Sequence, residues 1–246
     1  MKPITAILAA SAPSSTSAIY SAYANWTFDH NPTQGLDDLT FPISLVHTPQ
    51  REGYYFAQQF NFVGISDIAY TGLQPRPNQT VHAAFSTFAK DSSSSHPNCR
   101  RGANNRPGTT CFLEISGDYS HLYNITVENT GADNWQGTLV DSATGERHVI
   151  GLFTLPPGSG KLKTFRDSFV EYYRSDMPPN VPCENVPPAE VTFGNPTTTT
   201  EGAGRSRFIK WYQTQAWQCK GDIYFDVKNS STGVTIKTGL SQAPTF

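Results

Sequence analysis

Three glutamates stand in strand-like segments where a carboxyl group could act as an acid or a base. Glu171 lies in "FVEYY", Glu114 in "FLEIS", and Glu190 precedes "VTFG". An enzyme that cleaves glycosidic bonds needs two carboxyl groups about 5–10 Å apart, one of them kept protonated by burial. The sequence therefore gives Glu171 as the candidate catalytic acid, with Glu114 or Glu190 as its partner.

Glu171 has a structural interpretation as well. It shares a strand face with Phe169 and Tyr173, so it is partly buried if those rings face the core. A buried carboxylate without a partner costs several kcal/mol, so a partner is expected. An arginine such as Arg147 or Arg166 would make Glu171 structural, whereas a substrate would make it functional.

Aromatic and amide side chains indicate a second kind of chemistry, the recognition of sugars. Tyr and Trp rings stack on the apolar faces of sugar rings, and Gln and Asn amides bond the hydroxyls. The same aromatic residues could instead pack in the core, as most do in a β-sandwich. The residues predicted to contact a ligand are Tyr55, Gln59, Asn61, Trp135, Trp211, Tyr212 and Trp217.

The segment "CRRGANNRPGTTCFLEIS" (Cys99–Ser116) carries three arginines in a Gly- and Asn-rich stretch. Arg100, Arg101 and Arg106 could bind a phosphate or a sugar carboxylate. The alternative is a solvated loop whose Gly and Asn residues accept left-handed backbone angles. The formal net charge of -2 shows no wider basic field, so no nucleic-acid partner is predicted.

Metal and cofactor motifs are absent from the sequence. The six histidines form neither an H-x-H nor an H-E-x-x-H pattern, and the spacing C-x11-C is unlike that of a zinc knuckle. The segment "PPGSGKL" lacks the first Gly of a phosphate loop, and Leu162 replaces the magnesium-binding Ser or Thr. No G-x-S-x-G elbow for a nucleophilic serine occurs. We therefore predict no metal and no cofactor.

Strands must position these residues, because apolar and polar residues alternate along most apolar segments. In "YYFAQQFNF" the residues Tyr54, Phe56, Phe60 and Phe62 share one face, and "HLYNITVEN" and "GDIYFDVKN" alternate similarly. "SATGE" and "NSSTG" are typical of hairpin turns. The sequence predicts an all-β protein: an antiparallel β-sandwich, jelly-roll or concanavalin-like, with roughly ten strands. Residues 39–246 are predicted to form a single domain, after a leader and irregular lead-in over residues 1–38.

Four cysteines and four glycosylation sequons indicate an extracellular protein. Three cysteine pairings are possible, and Cys99–Cys111 with Cys183–Cys219 is favoured because the first pair closes a short loop. The N-terminal "ITAILAASA" resembles a short signal peptide, and no later run approaches the roughly 18 apolar residues of a membrane span. The predicted glycosylation sites are Asn25, Asn78, Asn124 and Asn229.

The order of several short patterns resembles a family of uncharacterised secreted microbial β-sandwich domains. These patterns are "YYFAQQFNF", "YTGLQ", "FSTF", a Gly-rich loop ending in Cys, "WQGTLVD", "IGLFTLP" and "FVEYY", and they span Tyr54 to Phe193. The resemblance implies a β-sandwich and an extracellular setting. It implies no activity and no catalytic residue.

The sequence thus favours a secreted carbohydrate-binding protein whose partner is a cell-wall or host polysaccharide. A glycoside hydrolase or polysaccharide lyase on the same scaffold is one alternative. A small-molecule pocket protein or a non-catalytic extracellular effector is another. The fold alone cannot separate these classes.

Overall fold

The computed structural model describes residues 20–173, 186–213 and 223–239. Within these ranges every regular element is a β-strand, and the strands form two antiparallel sheets. The prediction of an all-β sandwich is confirmed. No helix of the described residues is long and apolar enough to cross a membrane.

The first sheet has eight strands, and every neighbouring pair is antiparallel. Its spatial order is β13 (Ser206–Gln213), β1 (Tyr20–Phe28), β11 (Phe165–Tyr172), β3 (Tyr54–Asn61), β4 (Ile68–Arg76), β5 (Thr80–Thr87), β7 (Arg106–Ser116) and β6 (Cys99–Ala103).

The second sheet has seven strands, again all antiparallel. Its spatial order is β10 (Arg147–Thr154), β9 (Asn134–Asp141), β8 (Leu122–Gly131), β2 (Asp38–Ser44), β12 (Ala189–Gly194), β15 (Gly233–Gly239) and β14 (Tyr224–Asn229). The described residues thus contain fifteen strands, more than the ten predicted.

Strand β1 accounts for one of the additional strands. The sequence predicts an irregular lead-in up to residue 38, but Tyr20–Phe28 lies between β13 and β11 inside the first sheet. Ala22, Ala24 and Trp26 point into the core and are almost fully buried. Alanine and asparagine have low strand propensity, so the tertiary contacts of the sheet override a weak local signal.

The core fills the space between the inner faces of the two sheets. Alternation along the strands sends large side chains inward, as the sequence predicts for β3 and β8. Phe60 of β3 stacks on Phe41 of β2 with ring centroids 6.1 Å apart, which joins the two sheets. The inward residues of β3 and β8, and Phe62 directly after β3, are all essentially inaccessible to solvent: Tyr54, Phe56, Phe60, Phe62, Tyr123, Ile125 and Val127.

The predicted disulfide between Cys99 and Cys111 is present. The two residues are directly opposite each other on β6 and β7, so the predicted loop is a cross-linked β-hairpin. Cys183 and Cys219, predicted as the second pair, lie outside the described residues.

Gly151 of β10 packs against this disulfide, where the two sheets approach each other. A Cβ atom at position 151 would lie 2.3 Å from the Cβ of Cys111 and 2.6 Å from the Sγ of Cys99. These distances are far below van der Waals contact, so an added methyl group must displace the disulfide or the strand.

We expect Gly151→Ala to lower the free energy of unfolding by about 1–3 kcal/mol, the usual cost of overpacking a core. Denaturant unfolding monitored by tryptophan fluorescence measures the change. Val149→Ala is the control because Val149 lies on the same strand but is substantially exposed, so its effect should be small. Equal stability of Gly151→Ala and the wild type would contradict this packing.

The predicted glycosylation sites differ in accessibility. Asn78 and Asn229 are exposed, and Asn124 is half-buried with its amide donating to the Ser142 hydroxyl at 3.0 Å. Asn25 is half-buried, and its amide donates to the carboxylate of Asp167. Glycosylation stays a prediction, and it is least favoured at Asn25, whose side chain is already engaged.

Candidate functional site

The outer face of the eight-stranded sheet carries a continuous row of contacting aromatic rings, which we call the aromatic layer. Neighbouring ring centroids in this row are 5.4–5.9 Å apart. Side chains alternate between the two faces of a strand, so these rings point away from the sandwich core. In spatial order the layer consists of Tyr212, Tyr23, Phe169, Tyr55, Tyr70 and Phe88.

Small residues beneath the middle of the aromatic layer give its rings room. Ala57, Gly72 and Ala84 are directly opposite one another on β3, β4 and β5. Tyr55 and Tyr70 come from the rows on either side, and their rings meet edge-on with centroids 5.9 Å apart. The two alanines and the rings of Tyr55, Tyr70 and Phe169 form a second apolar cluster, separate from the core between the sheets. As a result, the outer face of the central strands is largely inaccessible to water.

Glu171 lies within this apolar surface. On β11 it is directly opposite Tyr55 of β3 and Ser21 of β1. The side chain is half-buried, and no hydrogen bond or ion pair to it is found among the described residues. Desolvation of the carboxyl group raises the pKa of Glu171 from 4.5 to about 7. Near neutral pH this group therefore exists as both acid and carboxylate.

The arginines predicted as possible partners of Glu171 lie elsewhere. Arg166 approaches Asp167 at 3.9 Å, and its guanidinium group donates to the amide oxygen of Gln59. Arg147 begins β10, in the other sheet. The interpretation of Glu171 as one half of a structural ion pair is therefore wrong for the described part of the chain.

The tyrosines around Glu171 all keep their protons at physiological pH. Burial, assisted by the negative charge of Glu171, raises the pKa of Tyr23 and of Tyr70 to about 12. Burial raises the pKa of Tyr55 well above its usual value, and the neighbouring Tyr70 and Glu171 add to the effect. Each hydroxyl therefore keeps its proton and is able to donate a hydrogen bond.

The hydroxyl of Tyr55 is buried, and no described residue forms a hydrogen bond with it. A buried polar group without a partner costs about 1–3 kcal/mol, so such groups are rare in folded proteins. Glu171 is directly opposite Tyr55 on the neighbouring strand. An acid and an unpaired donor therefore lie side by side in a region from which water is largely excluded.

A hydrogen-bonded network borders the Glu171 side of the layer. The Tyr173 hydroxyl donates to the amide oxygen of Gln74 at 2.8 Å, and Arg76 donates to the same oxygen at 2.8 Å. Arg76 also lies 3.4 Å from Glu114, which contacts His82 at 3.1 Å. These groups satisfy one another, in contrast to Glu171 and Tyr55.

The predicted carboxylate pair does not form. Four inter-strand steps separate Glu114 on β7 from Glu171 on β11, which amounts to about 19 Å. Glu190 lies on β12 of the other sheet, where its carboxylate is 2.9 Å from the Lys237 ammonium group. Neither residue is within the 5–10 Å that a glycosidase pair requires, so the assignment of Glu114 and Glu190 as partners of Glu171 is wrong.

The residues predicted to contact sugar do not form one surface. Trp135 is buried in the sandwich core against Phe62, and the buried Asn61 amide donates to the Asp67 carbonyl oxygen at 3.1 Å. Tyr55 is buried in the aromatic layer, whereas Trp211 is exposed. The remaining three differ again: Tyr212 stacks on Tyr23, Gln59 accepts from Arg166, and Trp217 lies outside the described residues.

Sequence reasoning missed three members of the aromatic layer, Tyr23, Tyr70 and Phe88. Tyr23 lies in the segment predicted to be irregular, and Tyr70 in "YTGLQ", a pattern used only for the family resemblance. Large aromatic residues on both faces of neighbouring strands were an available signal, because rings that share the outer face of neighbouring strands can pack against and bury one another. Within the described residues no group of three or more His, Cys, Asp or Glu side chains is placed to bind a metal.

No family model matches the chain, and no curated protein matches it. The resemblance to the uncharacterised secreted family therefore stays a prediction.

Solved structures of similar fold include two of scytalido-glutamic peptidase with transition-state analogues, at 14% and 11% identity and TM-scores of 0.49 and 0.47. A third is SCP-B, a member of the eqolisin family of peptidases in complex with the tripeptide Ala-Ile-His, at 11% identity and a TM-score of 0.45. Each match covers 92% of this chain and 100% of the other. At such low identity and TM-score the likeness does not establish an activity.

The prediction of a carbohydrate-binding protein with a polysaccharide partner is wrong. Tyr55, Asn61 and Trp135, which the sequence offered as sugar contacts, are buried. The physical reason is that Trp135 points into the core between the two sheets, whereas the outward-facing Tyr55 is buried by its neighbours in the aromatic layer.

Proposed function

We propose that the protein is a peptide hydrolase in which Glu171 is the acid–base group. The observation that carries the proposal is the position of its carboxyl group, within an aromatic surface and without a hydrogen-bond or ion-pair partner among the described residues. A structural carboxylate would be paired, since leaving a buried charge unpaired is costly. Perturbed acids of this kind are typical of catalytic sites.

The chemistry follows from the neutral form of the acid, which predominates below pH 7 because burial raises the pKa of Glu171 to about 7. The carboxyl group donates its proton to the amide nitrogen of the bond that breaks. A water molecule adds its oxygen to the carbonyl carbon and returns a proton to the carboxylate. One water is consumed, an acid and an amine are produced, and Glu171 recovers its starting state.

Tyr55 has the complementary role. Its buried hydroxyl lacks a partner and keeps its proton, so it can donate to the carbonyl oxygen as that atom becomes negative. A donor that is already oriented and desolvated stabilises such a charge far more than water does. Tyr55 and Glu171 thus act on the two ends of one amide group.

A peptide is the substrate class that suits this surface. An extended peptide presents apolar side chains to the aromatic layer and carbonyl oxygens to the tyrosine hydroxyls. The solved peptidases of similar fold add no support at TM-scores below 0.5. The disulfide between Cys99 and Cys111 supports an extracellular site of action, where such bonds persist.

Incubation of the purified protein with a defined mixture of unmodified peptides tests the proposal. We expect new peptide termini, detected by mass spectrometry, with rates that fall tenfold per pH unit above about pH 7 as the acid loses its proton. An absence of new termini between pH 3 and pH 8 would exclude the peptide hydrolase.

Tyr55→Phe separates a catalytic donor from a packing residue. Removing an unpaired buried hydroxyl should leave the free energy of unfolding unchanged or raise it by about 1 kcal/mol. The loss of the donor should lower kcat about tenfold or more while KM changes little. Tyr212→Phe is the control, since Tyr212 is at the far end of the layer from Tyr70 and Phe88 and is only half-buried. A destabilised Tyr55→Phe with unaltered kcat would assign Tyr55 to packing alone.

A further inference from the structure

The hairpin formed by β6 and β7 borders the outer face of the eight-stranded sheet. Asn104 and Asn105 at its tip have φ values of 46° and 59°, the left-handed pair that a two-residue type I′ hairpin requires. The Cys99–Cys111 disulfide joins its two strands. The arginines of this hairpin therefore extend from a cross-linked pair of strands, not from the solvated loop that the sequence offered as an alternative.

Two of these arginines lie over phenylalanine rings. The guanidinium carbon of Arg106 is 5.8 Å from the ring centroid of Phe88, the last ring of the aromatic layer. That of Arg100 is 4.9 Å from the ring centroid of Phe112. A cation–π contact restrains a guanidinium group through its flat face, so its N–H groups at the edge stay available to an acceptor.

These cations have no carboxylate partner. Among the described residues no ion pair involves Arg100, Arg101, Arg106 or the nearby Lys90, and the three arginines are exposed. The segment from position 88 to position 110 carries one acidic residue, Asp91, against these four cations, although the whole chain carries a formal net charge of -2. This end of the aromatic layer is thus positive in a slightly acidic protein.

We propose that Arg100 and Arg106 bind an acidic side chain of the peptide substrate and so select peptides that carry a carboxylate some distance from the bond that breaks. This inference rests on the proposed function, because Glu171 marks the reacting bond.

His82 on β5 and Glu114 on β7 lie in the same cross-strand row as Glu171. Phe112 is four inter-strand steps from β11 and two residues along β7 from Glu114, so it is about 20 Å from Glu171. Phe88 is three steps across and six residues along from His82, so it is about 25 Å from Glu171.

These distances define the expected position in the substrate. An extended peptide advances about 3.3 Å per residue, so a chain that runs from Glu171 towards the hairpin reaches the two arginines about six to eight residues from the bond at Glu171. Peptides with Glu at that distance should be cleaved faster than their Gln counterparts. Exposed charge pairs contribute modestly, so the expected preference is about threefold to tenfold at low salt and declines as salt is added.

The experiment compares kcat/KM for matched peptides that carry Glu, Gln or Lys about six to eight residues before or after the cleaved bond. The double variant Arg100→Gln/Arg106→Gln should bring the ratio of kcat/KM for Glu and Gln peptides close to one. The matched control Arg147→Gln/Lys228→Gln removes two positive charges from strands of the other sheet and should leave that ratio intact. The double variant Arg100→Lys/Arg106→Lys should keep part of the preference, and melting temperatures report folding.

A second readout separates this inference from the proposed function. Binding of fluorescent Glu and Gln peptides to Glu171→Gln measures recognition without turnover, and the Glu peptide should bind more tightly unless the two arginines are replaced. Cleavage without any preference for Glu, or a preference that persists without Arg100 and Arg106, overturns the inference and leaves the hydrolase standing. If no peptide is cleaved, the hydrolase fails, and equal binding of the two peptides then overturns the recognition of acidic side chains as well.

Discussion

Replacement of Glu171 by glutamine is expected to lower kcat/KM for peptide cleavage by about 10²- to 10⁴-fold, the range contributed by a positioned acid–base group. Glutamine has nearly the same shape but cannot transfer a proton, so the loss should appear in kcat, with little change in KM. The activity that remains should no longer depend on a group with a pKa of about 7. Initial rates measured over pH 3–9 for both proteins determine this.

Glu190→Gln is the matched control. It makes the same chemical change on the other sheet, where the carboxylate pairs with Lys237 at 2.9 Å. Activity of Glu190→Gln should equal that of the wild type. If both variants were fully active with unchanged pH profiles, Glu171 would have no part in turnover.

The same carboxyl group should make the folded protein less stable at alkaline pH. Burial raises the pKa of Glu171 to about 7, whereas in the unfolded chain it is near 4.5. Between these values the folded protein holds a proton that the unfolded chain has released, so stability falls as the pH rises. The contribution is complete below pH 4.5, is lost progressively up to pH 7, and amounts to about 3 kcal/mol, because each pKa unit corresponds to 1.36 kcal/mol.

The difference in unfolding free energy between Glu171→Gln and the wild type isolates this contribution from other titrating groups. Asp167 also has a raised pKa because it is desolvated, but it is present in both proteins and cancels in the difference. Relative to the wild type, Glu171→Gln should gain stability from pH 4.5 to pH 7.5 and then stay level. A difference that does not vary with pH would mean that the Glu171 carboxyl group is solvated in the folded protein.

The orientation of side chains along individual strands was predictable. Alternation assigned Tyr54 and Phe56 to opposite sides from Tyr55, and it grouped Glu171 with Phe169 and Tyr173. Such assignments are local, because the period of two in an extended chain does not depend on which strand lies alongside. The disulfide between Cys99 and Cys111 was predictable because it too is local: the two residues are only 12 positions apart, so they close a short loop.

Which strands are neighbours was not predictable from these patterns. Every antiparallel strand offers the same backbone hydrogen bonds, so nothing local indicates that β11 inserts between β1 and β3 or that β12 belongs to the other sheet. This is why the sequence proposed Glu114 and Glu190 as partners of Glu171. The strand order instead surrounds Glu171 with tyrosines contributed by β1, β3 and β4.

By itself, therefore, the sequence determined that this protein is an antiparallel β-sandwich. It also determined which residues of β3 and β8 point into the core, and that Glu171 shares a strand face with aromatic rings. The tertiary structure alone decided that a second aromatic cluster buries the outer face of the central strands and that Arg106 lies over the last ring of the aromatic layer. It also decided that Glu171 and the Tyr55 hydroxyl have no hydrogen-bond or ion-pair partner among the described residues. Burial and the pKa of a carboxyl group depend on neighbours from strands distant in sequence. Those neighbours come together because strands that are distant in sequence pair with each other, as β11 does with β3, where Glu171 lies opposite Tyr55. No local sequence pattern predicts that pairing.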